Sequence, residues 1–153
     1  MELTHASSED IADLLDLWLS LAEGQRAYDS HILVEENSTR VHDAIAQHVV
    51  ADQLLVAREE EILGFVMFRV QSRGYEQDIR RGFIDNLYVV PERRQEGIGS
   101  ALLSAAEREL RDHDVDAVGL QVMAANDDAR RFYRNRGYDH HRVELEKSLA
   151  DDQ

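Results

Sequence analysis

Cysteine is absent from this 153-residue chain, and lysine occurs once, as Lys147. Without cysteine there are no disulfides, no thiol nucleophile and no cysteine-ligated zinc. Proline is nearly absent too, with Pro91 alone. No linker, repeat or low-complexity tract breaks the chain, so residues 1–153 are expected to form a single domain with room for a proper core. Long apolar runs are also missing; the longest falls far short of a membrane span. Met1 to Ser8 has neither the charged nor the apolar region of a signal peptide, and a cytoplasmic location is expected. The seven histidines form no metal-binding pattern. His42 and His48 lie six apart, off a common helix face, and the adjacent His140 and His141 would point to opposite sides of a strand, so no metal site is expected.

What is abundant is negative charge. Asp and Glu number 31 against 17 Lys and Arg, giving a formal net charge of −14. That balance argues against a nucleic-acid-binding surface. Acid-rich and lysine-poor composition together suggest an acidic, halophile-like protein whose self-repulsion is screened by salt. The same acidity removes most of the information that surface charge would carry about a substrate. The end of the chain, Ala150 to Gln153, reads as solvated.

Periodicity supplies a coarse plan. Glu2 to Ala6 suits a short strand. A helix capped by Ser7 or Ser8 follows, with Ile11, Leu14, Leu15, Trp18, Leu19 and Ala22 as its apolar stripe and Gly24 as its end. Trp18 on that stripe reads as core. Gln25 to Asn37 lapses into a loop, and Ser38 or Thr39 opens a second helix carrying Val41, Ala44, Ile45, His48 and Val49. Gln53 to Arg58 and Ile62 to Val70 are β-rich runs joined at Glu59-Glu60-Glu61. Gln71 to Gly82 reads as a mobile loop before a strand over Phe83 to Val90. The last alternating stretch, His141 to Lys147, sets Val143, Leu145 and Lys147 against Arg142, Glu144 and Glu146 as a final strand.

Two segments carry the chemistry. The first runs from Leu87-Tyr88-Val89-Val90-Pro91 through Arg94-Gln95-Glu96-Gly97-Ile98-Gly99-Ser100 into a helix with Leu102, Ala105, Ala106 and Leu110 on one face. A strand, a glycine turn and a helix start present unpaired N–H groups at the positive end of a helix dipole, which suits phosphate. No Gly-Lys-Ser/Thr follows, so this is not a P-loop. Position 102 is Leu, so the three glycines of a dinucleotide fingerprint are not met either. Alone, the turn fits a phosphate site or a plain connection.

The second segment is Asn126-Asp127-Asp128-Ala129-Arg130-Arg131-Phe132-Tyr133-Arg134-Asn135-Arg136-Gly137-Tyr138. It reads as a helix capped by Asn126, acidic at its start, basic at its end and stopped by Gly137. The strand-like Val118 to Met123 precedes it, completing a crossover unit with a parallel strand pair.

Together these segments, from about Phe83 to Lys147, resemble the acetyl-CoA-binding core of the GCN5-related N-acetyltransferase (GNAT) superfamily. Its Gln/Arg-x-x-Gly-x-Gly/Ala signature is met by Arg94, Gly97 and Gly99. Its downstream Asn-x-x-Ala-x-x-Phe-Tyr-x-x-x-Gly-Phe/Tyr is met by Asn126, Ala129, Phe132, Tyr133, Gly137 and Tyr138. One departure is that Gln95 and Glu96 stand where many members have glycine and a basic residue, adding a negative charge beside the diphosphate.

The resemblance implies an α/β (α+β) GNAT fold: a mixed central sheet of about six to seven strands, about four helices, and the order β-α-α-β-β-β-α-β-α-β. It implies an acetyl-CoA-dependent N-acetyltransferase that moves an acetyl group directly to a primary amine, of a small molecule, a polyamine or a protein. The alternative is a non-catalytic CoA-binding module. By resemblance, Tyr133 is the acid for the departing thiolate, and Asp85, on the strand before the glycine turn, is the candidate base. Main-chain groups of Leu87, Tyr88 and Val89 would meet the thioester and pantetheine arm. Gln95, Glu96, Gly97, Ile98, Gly99 and Ser100 would hold the diphosphate with Arg94, while Asn126 caps its helix and meets the pantetheine. The helical region after the first strand usually borders the acceptor, which makes Tyr28, Asp29, Glu35 and Glu36 candidate contacts. The partners implied are acetyl-CoA and an amine acceptor, without metal, nucleic acid or membrane, and with homodimerisation left open.

Overall fold

The computed structural model of the chain describes residues 1–71 and 74–150. Strand β1 (Glu2–His5) leads through a 3-10 turn into helix α1 (Ile11–Arg26), and a second 3-10 turn precedes α2 (Ser38–Val50). Strands β2 (Leu54–Arg58), β3 (Ile62–Val70) and β4 (Arg81–Val89) follow, then α3 (Ile98–Asp112), β5 (Ala117–Leu120) and α4 (Asp127–Arg134). No helix among the described residues is long and apolar enough to cross a membrane.

The strands lie side by side in chain order as one mixed sheet. The first four pair antiparallel, and β5 pairs parallel to β4. Its centre is apolar on both faces because both are covered. On β2, Leu55 and Ala57 point toward α3, while Leu54 and Val56 point toward α1 and α2. Helix α3 closes one side with Ile98, Leu102, Leu103, Ala106 and Leu110 over Val66, Phe68 and Ile84. On the other side, Leu14 of α1 and Val41 and Ile45 of α2 cover Phe65, Met67 and Tyr88. Leu14, Ile45 and Leu102 are wholly buried. Truncating any one of them to alanine costs about 2–5 kcal/mol by cavity formation.

The start of α1 is fixed by polar groups. The Ser7 amide donates to the Asp10 carboxylate at 2.9 Å, and Arg58 of β2 donates to the same oxygen at 2.9 Å. Burial works against the Asp10 charge, but the Ser7 and Arg58 contacts outweigh it and hold its pKa below the ordinary carboxylate value. The first helix is thereby pinned to the sheet.

Four expectations are corrected. Among the described residues the sheet has five strands rather than six or seven. The final strand over His141 to Lys147 does not form; the segment has no regular secondary structure, is exposed, and has no strand partner among the described residues. Gly24 does not end the first helix, which continues to Arg26, and Asp29 instead takes the left-handed turn at φ 75°. One side-chain-free position near a helix end costs about 1 kcal/mol, too little to stop a helix whose stripe is already buried. Strand β4 also begins at Arg81 rather than Phe83, because Gly82 tucks under Leu110, where a Cβ would lie 2.8 Å from its side chain. Ser72 and Arg73 of the expected mobile loop, and Asp151 to Gln153 of the expected solvated end, lie outside the described residues.

Candidate active site

The parallel pairing of β4 with β5 ends at Ile84 opposite Leu120. Strand β4 continues to Val89, still paired with β3 through Leu87, Tyr88 and Val89. Its far edge is therefore open over those residues. The Val90 amide bonds the Leu63 carbonyl at 2.9 Å. Antiparallel alternation then turns the backbone groups of Val89 and Leu87 toward the open side. One of these, the Val89 carbonyl, accepts from Arg94 Nε at 2.9 Å, and the Arg94 guanidinium lies 5.3 Å from the Tyr88 ring centroid.

The open edge runs into the start of α3. Gln95 and Gly97 both take left-handed backbone angles, φ 66° and 85°, which fold the chain tightly into the helix. Gly97 occupies the N-cap and has no side chain to fill it. The first intrahelical bond is Ala101 N–H to the Gly97 carbonyl. The N–H groups of Ile98, Gly99 and Ser100 thus have no partner within the helix. Buried Ile98 anchors this turn. A Cβ placed on Gly99 would sit 3.7 Å from both Val89 Cγ2 and Phe132 Cζ, so β4, α3 and α4 converge there. Orphan amides, a helix dipole and an open strand edge fit a diphosphate with an amide-bearing arm.

Glu96 is not a free charge beside this cradle. Its carboxylate accepts from Arg93 Nε at 3.0 Å, and Arg93 also donates to Glu59 in the β2–β3 turn at 3.0 Å. Hydrogen bonds to Glu59 and Glu96 push the Arg93 pKa further up, and those from Arg93 hold Glu59 below its usual value. Arg136, after α4, contacts the Ser100 hydroxyl and stacks 4.7 Å from the Phe132 ring centroid, bringing a cation to the mouth of α3.

Helix α4 is capped as its sequence indicates. The buried Asn126 side chain accepts from the Ala129 amide at 3.1 Å. Gly137, at φ 91°, stops the turn with Tyr138 N–H bonded to the Tyr133 carbonyl. The Tyr133 ring lies edge-on to Phe132 and Tyr138, at 5.2 and 5.8 Å. Burial pushes its phenol up to about 12. Burial, then the 2.6 Å bond to Glu107, raises the Tyr138 phenol as well. Among the described residues the Tyr133 hydroxyl has no hydrogen-bond partner, whereas that of Tyr138 is committed.

Asp85 sits at a bulge, the extra residue on β4 between Ile84 opposite Phe68 and Asn86 opposite Met67. The bulge turns its carboxylate to the α1/α2 side. There it accepts from Arg69 Nε at 2.9 Å and meets His48 Nε2 of α2 at 3.2 Å. His48 Nδ1 is 2.8 Å from the Ala44 carbonyl. Both ring nitrogens therefore face acceptors, an arrangement that suits the doubly protonated ring. Burial opposes the charge on His48, yet the Asp85 and Ala44 contacts outweigh it, even against Arg69, and raise its pKa above the ordinary value. Arg69 and Arg81 each lie over the Phe83 ring, at 4.7 and 4.8 Å. The side of the sheet below the strand gap thus holds His48 and Arg69 on the Asp85 carboxylate, with Arg81 beside the Phe83 ring that Arg69 also covers.

His48 and Arg69 were not singled out from sequence. The signals were present: a histidine on the buried stripe of α2, and an arginine interrupting the apolar run of β3. Tyr28, Asp29, Glu35 and Glu36 lie in the α1–α2 connection and make no side-chain bond to the Asp85 group among the described residues.

Residues 11–138 match the acetyltransferase (GNAT) family, and the chain belongs to it. By class it is therefore an N-acetyltransferase, of a family whose acyl donor is acetyl-CoA. An aminoalkylphosphonate N-acetyltransferase of Salmonella typhimurium is 27% identical over 151 residues, spanning 97% of this chain and 91% of that protein. A mutant of a Bacillus halodurans protein has the same fold, with a TM-score of 0.87 at 23% identity over 98% of this chain and all of that one. So does a GCN5-related N-acetyltransferase from Ralstonia eutropha, with a TM-score of 0.76 at 21% identity over 98% of this chain and 99% of that one.

Proposed function

We propose that this protein transfers an acetyl group directly from acetyl-CoA to the primary amine of a small molecule that also carries an acidic group, such as an aminoalkylphosphonate. The observation that carries the reading is the open edge of β4 leading into the uncapped start of α3. A cofactor amide arm would lie along Leu87 and Val89, where it would replace the strand hydrogen bonds that β5 no longer supplies. The diphosphate would rest on the amides of Ile98, Gly99 and Ser100, with Gln95, Glu96 and Gly97 forming the turn and Arg94 and Arg136 at the rim.

When bound, acetyl-CoA supplies the acyl carbon and a thiolate leaving group. Tyr133 gives its hydroxyl proton to a hydrogen bond with the departing sulfur. At about 12, its phenol is a weaker acid than a thiol near 8.5, so its work is to stabilise the thiolate rather than to ionise. The pair Asp85 and His48 receives the amine proton, directly or through water, once His48 has given up its extra proton. Backbone donors of β4 steady the charge that grows on the thioester oxygen.

The acidic group of the acceptor is supported by the name of the Salmonella relative and by His48, Arg69 and Arg81 clustering in a chain of net charge −14. A non-catalytic CoA-binding module is the weaker reading, because Glu96 is neutralised by Arg93 and the Tyr133 hydroxyl is free to donate. The test is thiol release from acetyl-CoA across aminoalkylphosphonates, polyamines and peptide amines, in high-salt buffer. Turnover with the phosphonates at least tenfold above the others supports the proposal. Preference for polyamines overturns the acceptor, and saturable binding with no turnover on any amine overturns the reaction.

A further inference from the structure

On the face of the sheet that carries Asp85, two cations are gathered on one aromatic ring. Gly82 and Ile84 of β4 pack toward α3, so strand alternation sends Arg81 and Phe83 to the opposite side. Arg69 of β3 reaches the same ring, and the two guanidiniums lie 4.7 and 4.8 Å from the Phe83 centroid. Arg69 gives only its Nε to Asp85, at 2.9 Å; its terminal amino groups have no hydrogen-bond partner among the described residues. Arg81 is half-buried and bonds no carboxylate among the described residues. Two like charges brought to one ring repel, and the π face offsets part of that cost. An anion placed between them removes it.

Gly119 makes the arrangement possible. It pairs with Phe83 across β5, and a Cβ there would lie 2.6 Å from Arg81 Nη2 and 3.1 Å from Phe83 Cε1. The guanidinium thus uses space that any other residue would take. The pairing of β4 with β5 ends one residue later, at Ile84 opposite Leu120, so Arg81 and its ring stand just below the point where the strands part. Both arginines also line a cavity of about 1070 Å³ that reaches from His48 of α2 to the β3–β4 connection. Its own carboxylates bond neither arginine among the described residues. Asp116 accepts from the Arg80 amide at 2.9 Å, and Glu76 and Asp78 are exposed on the connection.

We infer that Arg69 and Arg81 form a subsite for a dianionic tetrahedral group of the phosphonate type, with Arg81 as its specificity-determining residue. Each guanidinium presents paired N–H donors that match two oxygens of such a group. Two guanidiniums on one ring balance its double charge, whereas a carboxylate would compensate one and leave the other unpaired. The inference deepens the acetyl-transfer reading and rests on it in one respect: a bound acceptor would set its acidic end beside Phe83 and its amine toward Asp85. The binding of the anion stands apart from that chemistry.

Propylphosphonate has no amine to acetylate, so calorimetry with it reads the subsite without the reaction. Wild type should bind it saturably and more tightly than butyrate, by roughly tenfold or more. Arg81→Gln should lose roughly tenfold to hundredfold in that affinity, and Arg81→Lys should recover part of it. Gly119→Ala keeps the charge but displaces it, and should weaken binding with an unaltered circular dichroism spectrum. In turnover, Arg81→Gln should raise the KM of aminopropylphosphonate by a similar factor while kcat stays within about twofold, the mark of a lost binding contact. No saturable binding by the wild type, equal affinity for butyrate, or wild-type affinity in Arg81→Gln would each overturn the subsite. Phosphonate binding that needs Arg81, with no amine acetylated, would uphold the subsite and overturn the acetyl-transfer reading instead.

Discussion

At the scale of single residues, Tyr133 is distinguished from its neighbour Tyr138 by what its hydroxyl does. Tyr138 is bound to Glu107, while Tyr133 is held by aromatic packing alone. Removing the Tyr133 oxygen therefore preserves the packing and deletes only the donor. Tyr133→Phe should keep its melting temperature and its KM for acetyl-CoA while kcat falls roughly 10²-fold, the scale of acid–base catalysis. Unchanged kcat would remove Tyr133 from the mechanism. His48 gives a second prediction, with a definite sign. Its folded pKa is raised above the unfolded one, so its pairing with Asp85 contributes stability that is full below the unfolded value near 6.5. That contribution is lost as pH rises through the folded value. Urea titrations of wild type against His48→Gln should differ most in mildly acidic buffer and converge in alkali. Parallel pH curves for the two proteins would show that the pair is not linked to folding.

At the scale of elements, the sequence was most legible where a local rule had one physical outcome. The capping role of Asn126, the stop at Gly137 and the apolar stripe of α3 were all readable because each depends on neighbours within a turn or two. Asp85 was visible as an anomaly in a strand, but the bulge that aims it was not, since a bulge is a property of two strands in register. His48 and Arg69 were missed for the same reason: they meet Asp85 across three elements. The last strand failed differently. Alternation over His141 to Lys147 matched the period of a strand, but a strand also needs a neighbour to pair with, and no local pattern specifies one. Two substitutions separate stability from function at this scale. Asn126→Ala removes the α4 cap and should cost about 0.5–2 kcal/mol in denaturant unfolding, with Asn126→Asp restoring most of it. Gly97→Ala forces a Cβ into a left-handed conformation at φ 85°, at roughly 1–2 kcal/mol. It should also weaken acetyl-CoA binding by calorimetry, because the three orphan amides behind it would be reoriented. Unaltered affinity would place the diphosphate elsewhere.

At the scale of the whole molecule, the charge of −14 is spread over 153 residues and works against the chain's own folding. Salt screens that repulsion within about 10 Å at 0.1 M and about 3 Å at 1 M. The melting temperature should therefore rise by several degrees between 0.1 and 2 M potassium chloride; a flat or falling curve would refute the halophile-like reading of the composition. Arg93 gives the same salt a second, local effect. It is a clasp between the β2–β3 turn and the loop that starts α3, gripping Glu59 with one end and Glu96 with the other. Brine loosens such a solvent-facing triplet and lets the Glu96 carboxylate swing toward an incoming nucleotide anion, but it also mutes the repulsion that this carboxylate would exert. The two changes oppose each other, so the donor's grip on the enzyme should stay nearly level across salinities that transform the stability of everything around it.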